Sequence, residues 1–212
     1  HINAMADTDG IIRHALLKVD ALEGEVYSFA RVLYEKYAAY HGLQVSALPK
    51  TDGNGFFYLP YTAKPGSYYD GISFVDVLDG LVDPEYFAGK IVLIGPYTAG
   101  MQDEYRTSID HAAPMYGIEI QANQSEAYRN GFLPVEVSDW IQLALLFIWC
   151  AILAYVLKDC KVIYSIIIWL AVSCGWAGLC YLMYQAGFVL HVLWFPLAAT
   201  VLFVYSMAIN YI

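Results

Sequence analysis

Asp103, Glu104 and Asp110 lie close together downstream of the apolar run Ile91–Gly95. That run, bounded by Lys90 and Pro96, predicts a buried central strand. Open α/β sheets place their ligands beyond the carboxyl ends of such strands, so this loop is a place for a cation or a small polar ligand. Thr98, Asp103 and Tyr105 on the loop, with Glu119 and Asn123 just after it, are the candidate ligand-binding side chains. A solvated acidic loop explains the same carboxylates more simply. The glycines of Gly95–Gly100 follow a strand, yet they lack the Lys-Ser/Thr of a phosphate-binding loop and do not fit dinucleotide spacing. No G-x-S-x-G or H-E-x-x-H occurs. His14, His41 and His111 are far apart in sequence, and each reads as a surface or interface residue. No catalytic residue, metal ligand or cofactor is therefore expected. Asn123-Gln124-Ser125 matches a glycosylation sequon, relevant only on a eukaryotic secretory route.

Positioning these side chains requires alternating strands and helices. Asp7-Thr8-Asp9-Gly10 predicts a turn, and Ile11–Leu17 a strand. Residues Glu25–His41 carry a helical pattern with Val26, Phe29, Ala30, Leu33 and Tyr37 on one face and Gly42 as terminator. Phe56–Leu59 reads as a short strand. Ser73-x-x-Asp76 has the form of a capping box opening a short helix that stops at Gly80. The stretch from Pro96 to Tyr116 reads as a loop, and Gly117–Asn130 as a helix ending at Gly131. Such alternation predicts a sheet flanked by helices.

Charge divides the chain sharply. Of 20 acidic and 11 basic residues, residues 1–139 hold 19 and 9, a net of 9 − 19 = −10. From Val162 to Ile212 there is no Asp, Glu, Lys or Arg. A soluble domain must meet water with some face, so the second half is read as lipid-soluble. An acidic first half without a basic run excludes nucleic acid as a partner. All four cysteines lie in the second half and read as small apolar side chains, so packing rather than disulfides must hold the first half together.

A bilayer core takes about 20 apolar residues per helix. Three segments are expected to span it, at about 140–157, 162–184 and 188–212, joined by Lys158-Asp159-Cys160-Lys161 and Gln185-Ala186-Gly187. Lys158 and Lys161 place the first hairpin in the cytoplasm, leaving residues 1–138 extracytoplasmic and the C-terminus inside. Gln142, His191 and Asn210 fall near the ends of spans, where water can satisfy them, which argues against transport. Small residues on the second span (Ala171, Cys174, Gly175, Gly178) allow close helix approach, and Pro196 is expected to kink the third.

The stretches Phe87–Gly95, Thr98-Ala99-Gly100, Asp103 and Gly117–Asn123 together resemble the CHASE type 2 family of extracellular sensory domains. Asp7–Arg13 and Gly71–Leu78 resemble further family segments in the right order. The resemblance implies an α/β extracytoplasmic sensor domain (1–138) followed by an all-α bundle of three transmembrane helices (139–212). It also implies a transmembrane helix upstream and a cytoplasmic output domain downstream, a nucleotide cyclase or a kinase, so the sequence is expected to be a piece of a longer receptor without catalytic activity of its own. The partners implied are the lipid bilayer of the plasma (inner) membrane, an extracellular stimulus, that output domain and a second copy in a homodimer. Gln121 stands where the family often has His, and Thr107-Ser108 where it often has Thr-Pro. The alternative reading is a membrane interaction module that dimerises or binds a protein without any small ligand.

Overall fold

A computed structural model of the chain describes residues 4–22, 24–158 and 160–211. Asp159 of the expected first hairpin and Ile212 at the end of the third expected span lie outside the described residues. The chain divides into two compact units, His1–Leu133 and Pro134–Ile212.

In the first unit, the expected strand Ile11–Leu17 is two short strands with different partners. β1 (Ile11–Ile12) pairs in parallel with β6 (Glu104–Thr107), which pairs antiparallel with β7 (Met115–Tyr116). β2 (His14–Leu16) pairs antiparallel with β5 (Phe56–Tyr58). The turn before β1 is fastened by ion pairs from Arg13 to Asp7 and Asp9, at 2.9 and 2.7 Å. A hairpin of β3 (Lys18–Ala21) and β4 (Gly24–Tyr27) takes residues the helical pattern had claimed. The helix α1 therefore runs only over Phe29–Tyr40, capped by the Ser28 side chain on the Arg31 N–H.

The buried face of α1 is Ala30, Arg31, Tyr34 and Ala38; of the expected face Ala30 is buried and Leu33 and Tyr37 are half-buried, whereas Val26 and Phe29 are exposed. Small alanines let this helix lie close against α3 (Gly117–Asn130), whose Ile120, Ala127 and Tyr128 complete a core with Ile12, Leu17, Phe57, Leu59 and Met115. Burying each large side chain here contributes about 1.5–3 kcal/mol. Arg31 enters this core by bonding the Ser46 carbonyl (3.1 Å) and Glu35 (2.6 Å), with its guanidinium over the Tyr34 and Tyr128 rings. Gly131 ends α3 at φ +67°, a left-handed conformation that suits glycine.

The short helix α2 (Phe74–Leu78) forms as expected, with Ser73 accepting from the Val75 N–H at 3.1 Å. The central strand does not. Ile91–Gly95 joins no strand among the described residues, and Val92 and Ile94 are exposed. Strand propensity records a fit to a pleated, half-buried surface, and no neighbouring strand supplies one here. The region is accordingly a set of small sheets with two packed helices, and β6 and β7 form within the expected loop 96–116.

The second unit is helical. α4 (Asp139–Leu157) and α5 (Val162–Gln185) are long and apolar enough to cross a membrane. The third apolar segment is shorter than expected, because Phe188–Val189 forms β9 and pairs in parallel with β8 (Val135–Glu136). Helix α6 then spans Trp194–Tyr211. Pro196 consequently lies in its first turn, where a missing N–H leaves no helical bond broken, rather than kinking its middle. All five tryptophans belong to this unit. Trp169 Nε1 donates to Thr200 Oγ1 at 3.0 Å, and Trp176 stacks on Phe195 with centroids 3.6 Å apart.

Candidate functional site

The first unit contains a cleft of about 960 Å³, near the top of the range of small-molecule sites. One wall is α3, presenting Ile118, Glu119, Ala122, Glu126 and Arg129. The opposite wall is the unpaired segment 89–95 with Phe74 and Val77 of α2. The two walls meet where Gly95 lies on Ile118; a Cβ at Gly95 would fall 2.6 Å from Ile118 Cδ1.

Tyrosines dominate the polar lining. Tyr69 and Tyr97 stack with centroids 4.2 Å apart and planes 9° from parallel, and Tyr116 leans on Tyr97 at 4.4 Å. Burial, then the Glu119 charge, pushes the Tyr97 phenol up. At the far end, Tyr86 donates to Asp70 Oδ2 at 2.7 Å, and Lys90 Nζ sits 3.7 Å from the centre of the Tyr86 ring, a cation–π contact. Arg129 is bound to Glu126, Nε to Oε2 at 2.8 Å, which lowers the Glu126 carboxyl. The cleft thus combines flat aromatic surface with hydroxyls and charges of both signs, able to hold a compact aromatic or polar molecule but offering no arranged nucleophile.

Only two of the five side chains expected at a ligand line this cleft. Thr98 stands exposed on its rim, and Glu119 lies in its wall, 2% exposed. Glu119 is held by the N–H groups of Gly66 (2.7 Å) and Tyr116 (3.2 Å), so it caps α3 while tying the 64–66 turn to it. Asn123 is fully buried beneath that turn: Oδ1 accepts from the Thr62 and Ala63 N–H groups, both at 3.1 Å, and Nδ2 donates to the Ala63 and Glu119 carbonyls. Asp103 sits at the start of α3, where its carbonyl accepts from the Gly117 N–H at 3.0 Å and a Cβ at Gly117 would collide with its carboxylate. Tyr105 neighbours it, its phenol raised by burial and then by Asp103. The carboxylates do not converge, and among the described residues no group of His, Cys, Asp and Glu is arranged to hold a metal.

Sequence reasoning passed over Tyr69, Tyr86, Tyr97, Lys90 and Arg129. Tyr69 and Tyr97 lie in irregular segments and Tyr86 in a single 3₁₀ turn (Pro84–Phe87), all too short for periodicity, and their only signal was the abundance of tyrosine itself.

A mixed α/β unit with an aromatic cleft is followed in sequence by two helices long and apolar enough to cross a membrane. The chain belongs to the CHASE2 domain family, whose pattern matches residues 1–157. That is a family of extracellular sensor domains rather than of catalysts. Comparison with curated proteins and with solved structures gives no match.

Proposed function

We propose that this chain is the sensing and membrane-spanning portion of a receptor. A stimulus outside the cell engages the tyrosine-lined cleft, and α4, α5 and α6 all cross the bilayer, with Lys158 and Lys161 on the cytoplasmic side. The signal passes through α6 to a cytoplasmic output domain of the same polypeptide, a nucleotide cyclase or a kinase, in a homodimeric assembly. The cleft carries this reading: it lies in a chain of a sensor family and offers recognition groups without reactive ones. A ligand acts only through a difference in affinity between two states of the receptor.

The test is a thermal-shift screen of small aromatic and polar compounds on the full chain in detergent. A compound at about 100 times its Kd stabilises the bound state by about 2.7 kcal/mol. A hit should lose its effect on Tyr69→Ala and Tyr97→Ala. Hits that stabilise these variants equally would place the ligand elsewhere.

One observation favours a second reading, a protein-binding module without a small ligand. Phe74, Leu78, Leu81, Val92 and Ile94 are all exposed apolar side chains. Stable dimers in native mass analysis, with no stabilising compound, would support that alternative.

A further inference from the structure

Gln142 is the one buried polar side chain in α4, 2% exposed in a helix otherwise built for lipid. Its position has a specific cause. Nε2 donates to the Val137 carbonyl at 2.7 Å, and Oε1 accepts from the His191 N–H at 2.8 Å. Val137 directly follows β8, and His191 lies two residues beyond β9. The amide therefore bridges the ends of two strands that already pair in register, Val135 with Phe188 and Glu136 with Val189. Backbone bonds from the Val135 N–H to the Gly187 carbonyl (2.9 Å) and from the Val137 N–H to the Val189 carbonyl (3.1 Å) complete the pairing. Trp176 Nε1 reaches the His191 carbonyl at 3.4 Å, and His191 Nε2 meets Asp139 Oδ1 at 2.9 Å. The last pair is exposed and adds little.

A parallel pair of two residues on each strand is too small to persist alone. The Nε2 bond to Val137 is local, whereas Oε1 is satisfied only if the start of α4 and the α5–α6 turn stay together, and an unpaired amide group in an apolar setting costs about 1–3 kcal/mol. We propose that Gln142 is a positioning residue that clamps the linker entering α4 to the α5–α6 turn, so that a displacement of the linker moves the start of α6 with it. This rests on the receptor reading above, in which β8 connects the sensing unit to the helices and α6 leads to the output domain.

The test uses the full chain fused after Ile212 to a nucleotide cyclase reporter, with the four native cysteines replaced by alanine. Gln142→Leu removes both hydrogen bonds while keeping the span apolar, and should change basal output by about 2- to 30-fold. Adding Val135→Cys with Phe188→Cys should restore it under oxidising conditions and lose the restoration on reduction, because paired strands lie roughly 4.8 Å apart, within reach of a disulfide. Unchanged output in Gln142→Leu overturns the clamp. So does a disulfide that forms without restoring output, or one that fails to form in the Gln142 background. Inserting two residues after Ile212 turns the output domain by roughly 200° about the helix axis and serves as the control. A reporter indifferent to both Gln142→Leu and this insertion refutes the receptor reading itself, whereas one that answers only to the insertion refutes the clamp alone.

Discussion

Asn123→Ala should detach the 62–66 turn from α3 and destabilise the first unit by about 2–4 kcal/mol. The magnitude follows from what the side chain does. Of its five hydrogen bonds, those to the Met115 sulfur (3.5 Å) and the Glu119 carbonyl are the least costly to lose, since a thioether is a weak acceptor and the carbonyl sits within α3, where the helix supplies its own N–H partner. The Thr62 N–H belongs to an exposed residue and can turn to water. Ala63 is half-buried and loses partners for both its N–H and its carbonyl. Each orphaned group costs about 1–3 kcal/mol, with partial exposure favouring the lower part of that range. The vacated volume beneath the turn adds a packing loss. For a unit of this size the melting temperature should fall by roughly 8–15 °C. Near-ultraviolet circular dichroism of the full chain in detergent measures it, and hydrogen exchange at Thr62 and Ala63 should lose at least about tenfold protection, or 1.4 kcal/mol. A melting point within about 2 °C of the parent, with exchange at both amides unchanged, would refute the clamp assigned to Asn123.

Arg31→Met keeps the stem packed under the tyrosines but abandons the Ser46 carbonyl and Glu35; thermal melting should show a loss of about 1–3 kcal/mol. Gly95→Val should press on Ile118 and cost about 1–3 kcal/mol, read by the same melt, with Gly100→Ala as the strained-glycine comparison that touches nothing. The Arg13 hydrogen bond, reinforced by the Ile11 N–H, holds Asp9 down at about 2, below its ordinary 3.8. A depressed carboxyl stabilises the fold above its unfolded value and loses that contribution as pH falls from about 4 through about 2. Acid titration of the parent followed by circular dichroism should therefore show a loss in that window that Asp9→Asn lacks.

Local signals were legible wherever one residue suffices to set the backbone. Ser73 opened α2, Gly131 closed α3 and the apolar runs marked α4 and α5, because capping, left-handed φ and lipid solubility act within a few residues. Ile91–Gly95 was misread because strand formation needs a second strand, which periodicity in one segment cannot guarantee. The face of α1 was only partly legible, Ala30 within it and Arg31 outside it, because Arg31 buries its charge through Ser46, a partner fifteen residues away. The cleft was invisible for the same reason: Tyr69, Tyr97 and Tyr116 meet only after folding, and the carboxylates that attracted attention disperse into caps and turns. Gln142 illustrates the converse, an isolated polar side chain explained by the backbone N–H of His191 once 49 positions of chain are folded back.

The confinement of every tryptophan to Pro134–Ile212 makes the molecule spectroscopically two-coloured. Red-edge excitation addresses only the indoles of the helical unit, including Trp176 against Phe195 beside the α5–α6 turn. Tyrosine absorption is shared by both units, since Tyr155, Tyr164, Tyr181, Tyr184, Tyr205 and Tyr211 follow Pro134, so the indole channel alone reports on a single unit. A change in indole emission would tell, without any label, that an event had reached the side of Pro134 that holds the helices.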